Sequence, residues 1–116
     1  MTLPDIQMTG NDAQATAVAQ IVETAERMRD GELNMIEGAR RIVELSWKAG
    51  LHGDKDIIPF ICIDSETDAL PLGDVRRQWR QDALEKLQPE IERAEAWARK
   101  FGLPACVSLI ERLTRR

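Results

Sequence analysis

Residues 57–79 read IIPFICIDSETDALPLGDVRRQW, and whether their first seven form a strand or a helix decides the fold class. Ile57 to Ile63 carries no charge, so periodicity cannot choose between the two. Pro59 can. It has no N–H to give to a ladder, and a central strand does not accommodate it. In a helix capped by Asp56 it falls in the first turn, where that N–H would have no partner anyway. Nor does any other stretch offer a partner strand, and a lone strand leaves its backbone groups unpaired. The stretch therefore predicts a helix over 57–68, which ends in three acids, Asp64, Glu66 and Asp68. A Pro71-Leu72-Gly73 turn follows. Asp74 is then expected to cap a short helix through Trp79.

Working back towards the start, residues 32–49 predict a helix closed by Gly50. Asn34, Glu37, Arg40, Arg41, Glu44 and Lys48 share about a third of its circumference at 100° per residue. Met35, Ile36, Ala39, Ile42, Val43, Leu45 and Trp47 take the rest, so this helix is expected at the centre of a bundle. Gly38 in its middle costs about 1 kcal/mol against alanine, and a close approach of another helix would account for it. Before it, Val18, Ile21, Val22, Ala25 and Met28 form one apolar stripe. They predict a helix from a cap at Asp12 to Arg29, with Gly31 ending it. Residues 1–11 read as a loose arm, and residues 12–116 as a single helical domain.

On the far side of the stretch, Asp82 is expected to cap a helix whose apolar residues are Leu84, Leu87, Ile91, Ala94, Ala98 and Phe101. Steps of three and four make this a narrow seam like that of a coiled coil. Pro89 is expected to kink or break it and Gly102 to end it. Pro104 would then open a last helix with Cys106, Val107, Ile110 and Leu113 inward. The fold class is all-α, a compact bundle of about five helices with the second central.

Composition agrees. The chain has 116 residues, 43% of them apolar and 31% charged, a proportion suited to one folded domain. It lacks tyrosine and has three tryptophans and two phenylalanines, few for a β-sandwich or a base-stacking surface. The net charge of −4 is uneven: residues 1–38 hold 7 acids against 2 bases, and residues 76–116 hold 10 bases against 6 acids. Such a chain either neutralises itself across the fold or shows an acidic face to a basic partner. No secretory leader and no membrane span are expected, since no apolar run approaches the roughly 20 residues required. Cys62 and Cys106 read as buried thiols in a reducing cytoplasm.

The clearest functional candidate is the set Asp64, Glu66, Asp68, Arg76, Arg77 and Trp79. The acids either pair with Arg76 and Arg77 across the turn or face a partner. Two carboxylates one turn apart could also hold a hard cation, given further oxygen ligands. All-α nucleotide pyrophosphohydrolases use Glu-x-x-Glu pairs around magnesium, and Glu23/Glu26 and Glu92/Glu95 match that spacing. His52 is the only histidine and neither cysteine lies near it in sequence, which leaves little for nucleophilic catalysis or zinc. No phosphate-binding glycine loop occurs. The acidic balance argues against nucleic acid despite Arg76, Arg77 and Arg80. No catalytic residue, cofactor or metal is therefore expected. The three tryptophans read as core or interface anchors.

The segment Gly31 to Gly38, with Ile63-Asp64-Ser65-Glu66-Thr67-Asp68, Leu70-Pro71-Leu72-Gly73, Val75-Arg76 and Trp79, resembles a group of short uncharacterised bacterial proteins. The resemblance spans about residues 31–100 and implies no activity. Small acidic helical proteins of this kind often serve as immunity proteins or antitoxins. The leading expectation is thus a non-enzymatic cytoplasmic domain that occludes a basic toxin domain. A metal-dependent hydrolase of a nucleotide-like substrate and a structural homodimer through the 84–101 seam remain as alternatives.

Overall fold

The computed structural model describes residues 10–115, and of Asn11 and Asp74 the backbone alone. It is all-α, as the sequence predicts, but has four α-helices instead of five: α1 (Gly10–Arg29), α2 (Met35–Ala49), α3 (Ile58–Thr67) and α4 (Gln81–Thr114). A 3-10 helix, Gly73–Gln78, joins the last two. Residues 1–9 of the expected arm lie outside the described residues, and α1 already contains residues 10 and 11. Asp12 consequently sits in the first turn of α1 and not at its cap.

Of the stripe read from its spacing, α1 buries Ile21, Ala25 and Met28 and leaves Val18 and Val22 half-buried. Gly31 takes φ +80° after its last turn, a conformation that favours glycine. α2 begins three residues later than expected because Asn34 is its cap: the Asn34 side chain accepts from the N–H groups of Ile36 and Glu37. Gly50 closes the helix at φ 72°. Met35, Ile36, Ala39 and Ile42 are fully buried, and α2 packs against α1, α3 and α4. It is the centre of the bundle. Trp47, expected among its buried residues, is instead 66% exposed and stacks on His52, ring centroids 3.6 Å apart.

α3 carries Pro59 in its first turn and turns Ile57, Phe60 and Ile63 into the core beside α2. Asp56 does not cap it. The N-cap residue is Ile57, with no side-chain bond, and Asp56 is drawn away to α4. Cys62 faces solvent while Cys106 is buried, so only one of the two thiols lies where the sequence suggested; both are free.

The largest departure is α4. Pro89, Gly102 and Pro104 were expected to divide residues 82–113, yet one helix of 34 residues runs through all three. Each proline removes one N–H bond to the carbonyl four residues earlier. Those carbonyls belong to Glu85 and Lys100, both exposed residues on the side of α4 away from the core. Gly102 is buried, and a Cβ there would come within 2.9 Å of Ile63 Cδ1 and 3.2 Å of Met35 Cε. Glycine at 102 serves the packing of α4 onto α2 and α3, not the end of a helix. Asp82 is not the cap either; that position is Arg80, and Asp82 lies in the first turn. About 1.5 Å of rise per residue makes α4 about 51 Å long, close to the 58 Å long axis of the molecule. Among the described residues no helix is long and apolar enough to cross a membrane.

Candidate functional site: the α3 end and the adjoining face of α4

The short loop between α2 and α3 is tied to the far end of α4, and that tie sets how α3 lies. Arg112 grips Asp54 with both terminal nitrogens, at 2.9 and 2.8 Å, and reaches Asp56 Oδ2 at 2.5 Å. Ser108 donates to the same Asp56 oxygen at 2.6 Å. The Arg112 hydrogen bonds hold the Asp54 carboxyl down to about 2, against a partial burial that would raise it. Burial likewise pushes Asp56 up, but hydrogen bonds from Ser108, Arg112 and Lys55 together leave it below its ordinary value. This clasp fixes α3 antiparallel to α4, so that the acidic end of α3 lies beside the middle of α4.

There the sequence candidates separate. Asp64 lies 3.8 Å from Arg40 Nε of α2, not against Arg76 or Arg77. Arg40 also donates to the carbonyl oxygens of Thr67 and Leu70, closing the last turn of α3. Arg40, read only as one member of a polar arc, is therefore the residue that anchors this end. Arg76 turns to Gln88 Oε1 at 3.3 Å, and Arg77 is exposed on the 3-10 helix. Asp68 is the exposed C-cap residue of α3. Trp79 follows the 3-10 helix and is 40% exposed. Glu66 shares a groove of about 290 Å³ with Thr67, Glu90, Arg93, Ala94 and Trp97. The structure thus places Asp64 in an internal pair and leaves Glu66, Asp68, Arg77 and Trp79 accessible.

Sequence reasoning missed Trp97 and Phe101 as surface residues. They are 41% and 44% exposed and stack with ring centroids 5.4 Å apart. Their spacing of four was the signal, but the seam takes in Phe101 alone and Trp97 reads only as a core or interface anchor. Of the rest of that seam, Leu84, Ile91 and Ala98 are buried within the chain itself and Leu87 and Ala94 are half-buried. A second groove, of about 380 Å³, lies between Ala15, Val18, Ala19 and Val22 of α1 and the end of α4, with Arg115 as its one charged lining residue among those described.

The carboxylate pairs do not assemble. Glu95 spends both oxygens on the start of α2, accepting from the N–H of Met35 at 2.7 Å and of Ile36 at 3.2 Å. Glu92 accepts from Gln88 at 3.1 Å. Among the described residues no three His, Cys, Asp or Glu side chains converge as a metal site would require. Burial pushes the Cys106 thiol up to about 11, far from the range of a reactive thiolate. The chain matches no family model, no curated protein and no solved structure.

Proposed function

We propose that this chain is a non-enzymatic protein-binding domain of the immunity-protein or antitoxin kind, acting in the cytoplasm by covering the working surface of a toxin. One observation carries the reading: Trp79, Trp97 and Phe101 are each at least two-fifths exposed, and Glu66 of the acidic α3 end lines the same groove as Trp97. Large aromatic anchors ringed by charge are the usual makings of a protein interface. The remaining acids would speed encounter with a basic partner by long-range attraction.

The test is affinity capture from the host cell with the wild-type chain and with Glu66→Lys/Asp68→Lys/Trp79→Ala, the captured proteins being identified by mass spectrometry. Asp64 is left intact because it lies beside Arg40, whose guanidinium holds the Thr67 and Leu70 carbonyls. The wild type should retain one dominant partner and protect cells from it, and the folded triple variant should do neither. Capture and protection undiminished in the variant would remove this surface from the interface. Turnover of nucleotides by the purified chain would favour the hydrolase instead.

A further inference from the structure

The outer edges of α3 and α4 form a trough that the residues singled out in the sequence only touch. Glu66 and Thr67 at the end of α3 face Glu90, Arg93, Ala94 and Trp97 of α4 across one groove. Arg93, Trp97 and Phe101 stand one above another on α4 at steps of four. Phe101 extends the groove along α4, since its ring stacks on that of Trp97 within 10° of parallel and both stay exposed.

Apolar character alone would not say what covers this trough, but the charges at its mouth do. Among the described residues, neither Glu66 nor Glu90 has a cation within ion-pair distance, and Arg93 has no carboxylate. Two carboxylates and one guanidinium around an indole leave the mouth with one uncompensated negative charge. A guanidinium suits that place better than an ammonium. It is planar, weakly hydrated, stacks on indole and bonds a carboxylate with two parallel N–H groups. Arg93 would repel a second cation, which favours a single basic residue over a basic cluster.

We propose that the trough receives an amphipathic helix of the partner protein. Its arginine lies over Trp97 between Glu66 and Glu90, and an apolar residue one turn along covers Phe101. This rests on the protein-binding reading and names the chemistry of the partner.

The probe is a short Ala-rich helical peptide with leucine and arginine one turn apart, titrated while the Trp97 indole N–H resonance is followed. Saturable binding is expected, at least about tenfold tighter than for the same peptide with glutamate in place of arginine. Glu66→Gln and Glu90→Gln should each weaken it roughly three- to tenfold, and Trp97→Ala, titrated through the peptide's own resonances, should abolish it with the helical content unchanged. Equal binding of the two peptides, or no shift of the indole resonance, overturns the proposal. So does a dimer in sedimentation that Trp97→Ala and Phe101→Ala dissolve, since the trough would then belong to a second copy. Full-length partner captured equally by wild type and by Glu90→Gln/Trp97→Ala overturns the trough while leaving the binding-domain reading in place. Peptide binding with no cellular partner does the reverse.

Discussion

Replacing Gly38 by alanine sets two effects of known sign against each other. In an open helix the change stabilises by about 1 kcal/mol, because glycine has more backbone entropy to lose. Here the new Cβ would fall 2.4 Å from Met28 Sδ, 2.5 Å from Cγ and 2.8 Å from Cε. No rotation of a terminal methyl relieves three successive atoms; the whole thioether must leave. Met28 is fully buried at the end of α1, so no solvent lies beside it to receive the chain. Squeezing a filled core costs about 1–3 kcal/mol, and losing a buried methionine outright about 2–5 kcal/mol. The net expectation for Gly38→Ala is destabilisation by about 1–3 kcal/mol. Urea unfolding followed by far-ultraviolet circular dichroism should show a lower midpoint with an unchanged slope. The decisive measurement is the same substitution in a Met28→Ala background. With the obstructing side chain gone, Gly38→Ala should become neutral or stabilise by up to about 1 kcal/mol, a reversal of sign. A single variant as stable as wild type, or an equal loss in both backgrounds, would refute the close-approach reasoning.

Three further outcomes are open to the same methods. Glu95→Ala should cost about 1–2 kcal/mol, since it strips a charged acceptor from the positive end of α2 and orphans the Met35 N–H; a silent variant would show that Asn34 suffices. The depressed Asp54 carboxyl, about 2 when folded against an ordinary 3.8, contributes stability that is fully present above 3.8 and lost as the pH falls through about 2. The contribution is roughly 2 kcal/mol, and an acid titration of stability should lose that slope in Arg112→Gln. A thiol reagent should label Cys62 rapidly in the native protein and Cys106 only on unfolding, so two fast thiols would contradict the burial of Cys106.

Much of the bundle was legible because it is written in local spacing. The α1 stripe, the broad apolar side of α2 and the placement of Pro59 in a first turn need no knowledge of the rest of the chain. What escaped depends on residues distant in sequence. The start of α2 is set partly by Glu95, 60 positions away from Met35. Asp56 looked like a cap because nothing nearby revealed Ser108 and Arg112 as its partners. The prolines of α4 were misread for a related reason. Their cost depends on whether the freed carbonyls meet water, and only the packed structure shows that Glu85 and Lys100 do not face the core. In the candidate site, the sequence pattern singles out Glu66, Asp68 and Trp79 but leaves open whether they pair within the chain or face outward; their exposure comes from the packed structure. The engagement of Asp64 by Arg40 does not, since it joins two helices whose mutual register no motif encodes.

The continuity of α4 also bears on the order in which the chain can fold. α4 packs against α1, α2 and α3, and it is synthesised after all of them. Until its second half leaves the ribosome, the α1–α2 hairpin and α3 must expose surfaces that Ala98, Cys106 and Leu109 later cover. At about 5–20 residues per second that exposure lasts seconds, while helices form in about a microsecond. The first three helices therefore wait as a loosely joined set, open to holding chaperones. Cooperative closure then comes from a contact between residues more than 50 positions apart, Asp54 and Asp56 with Arg112.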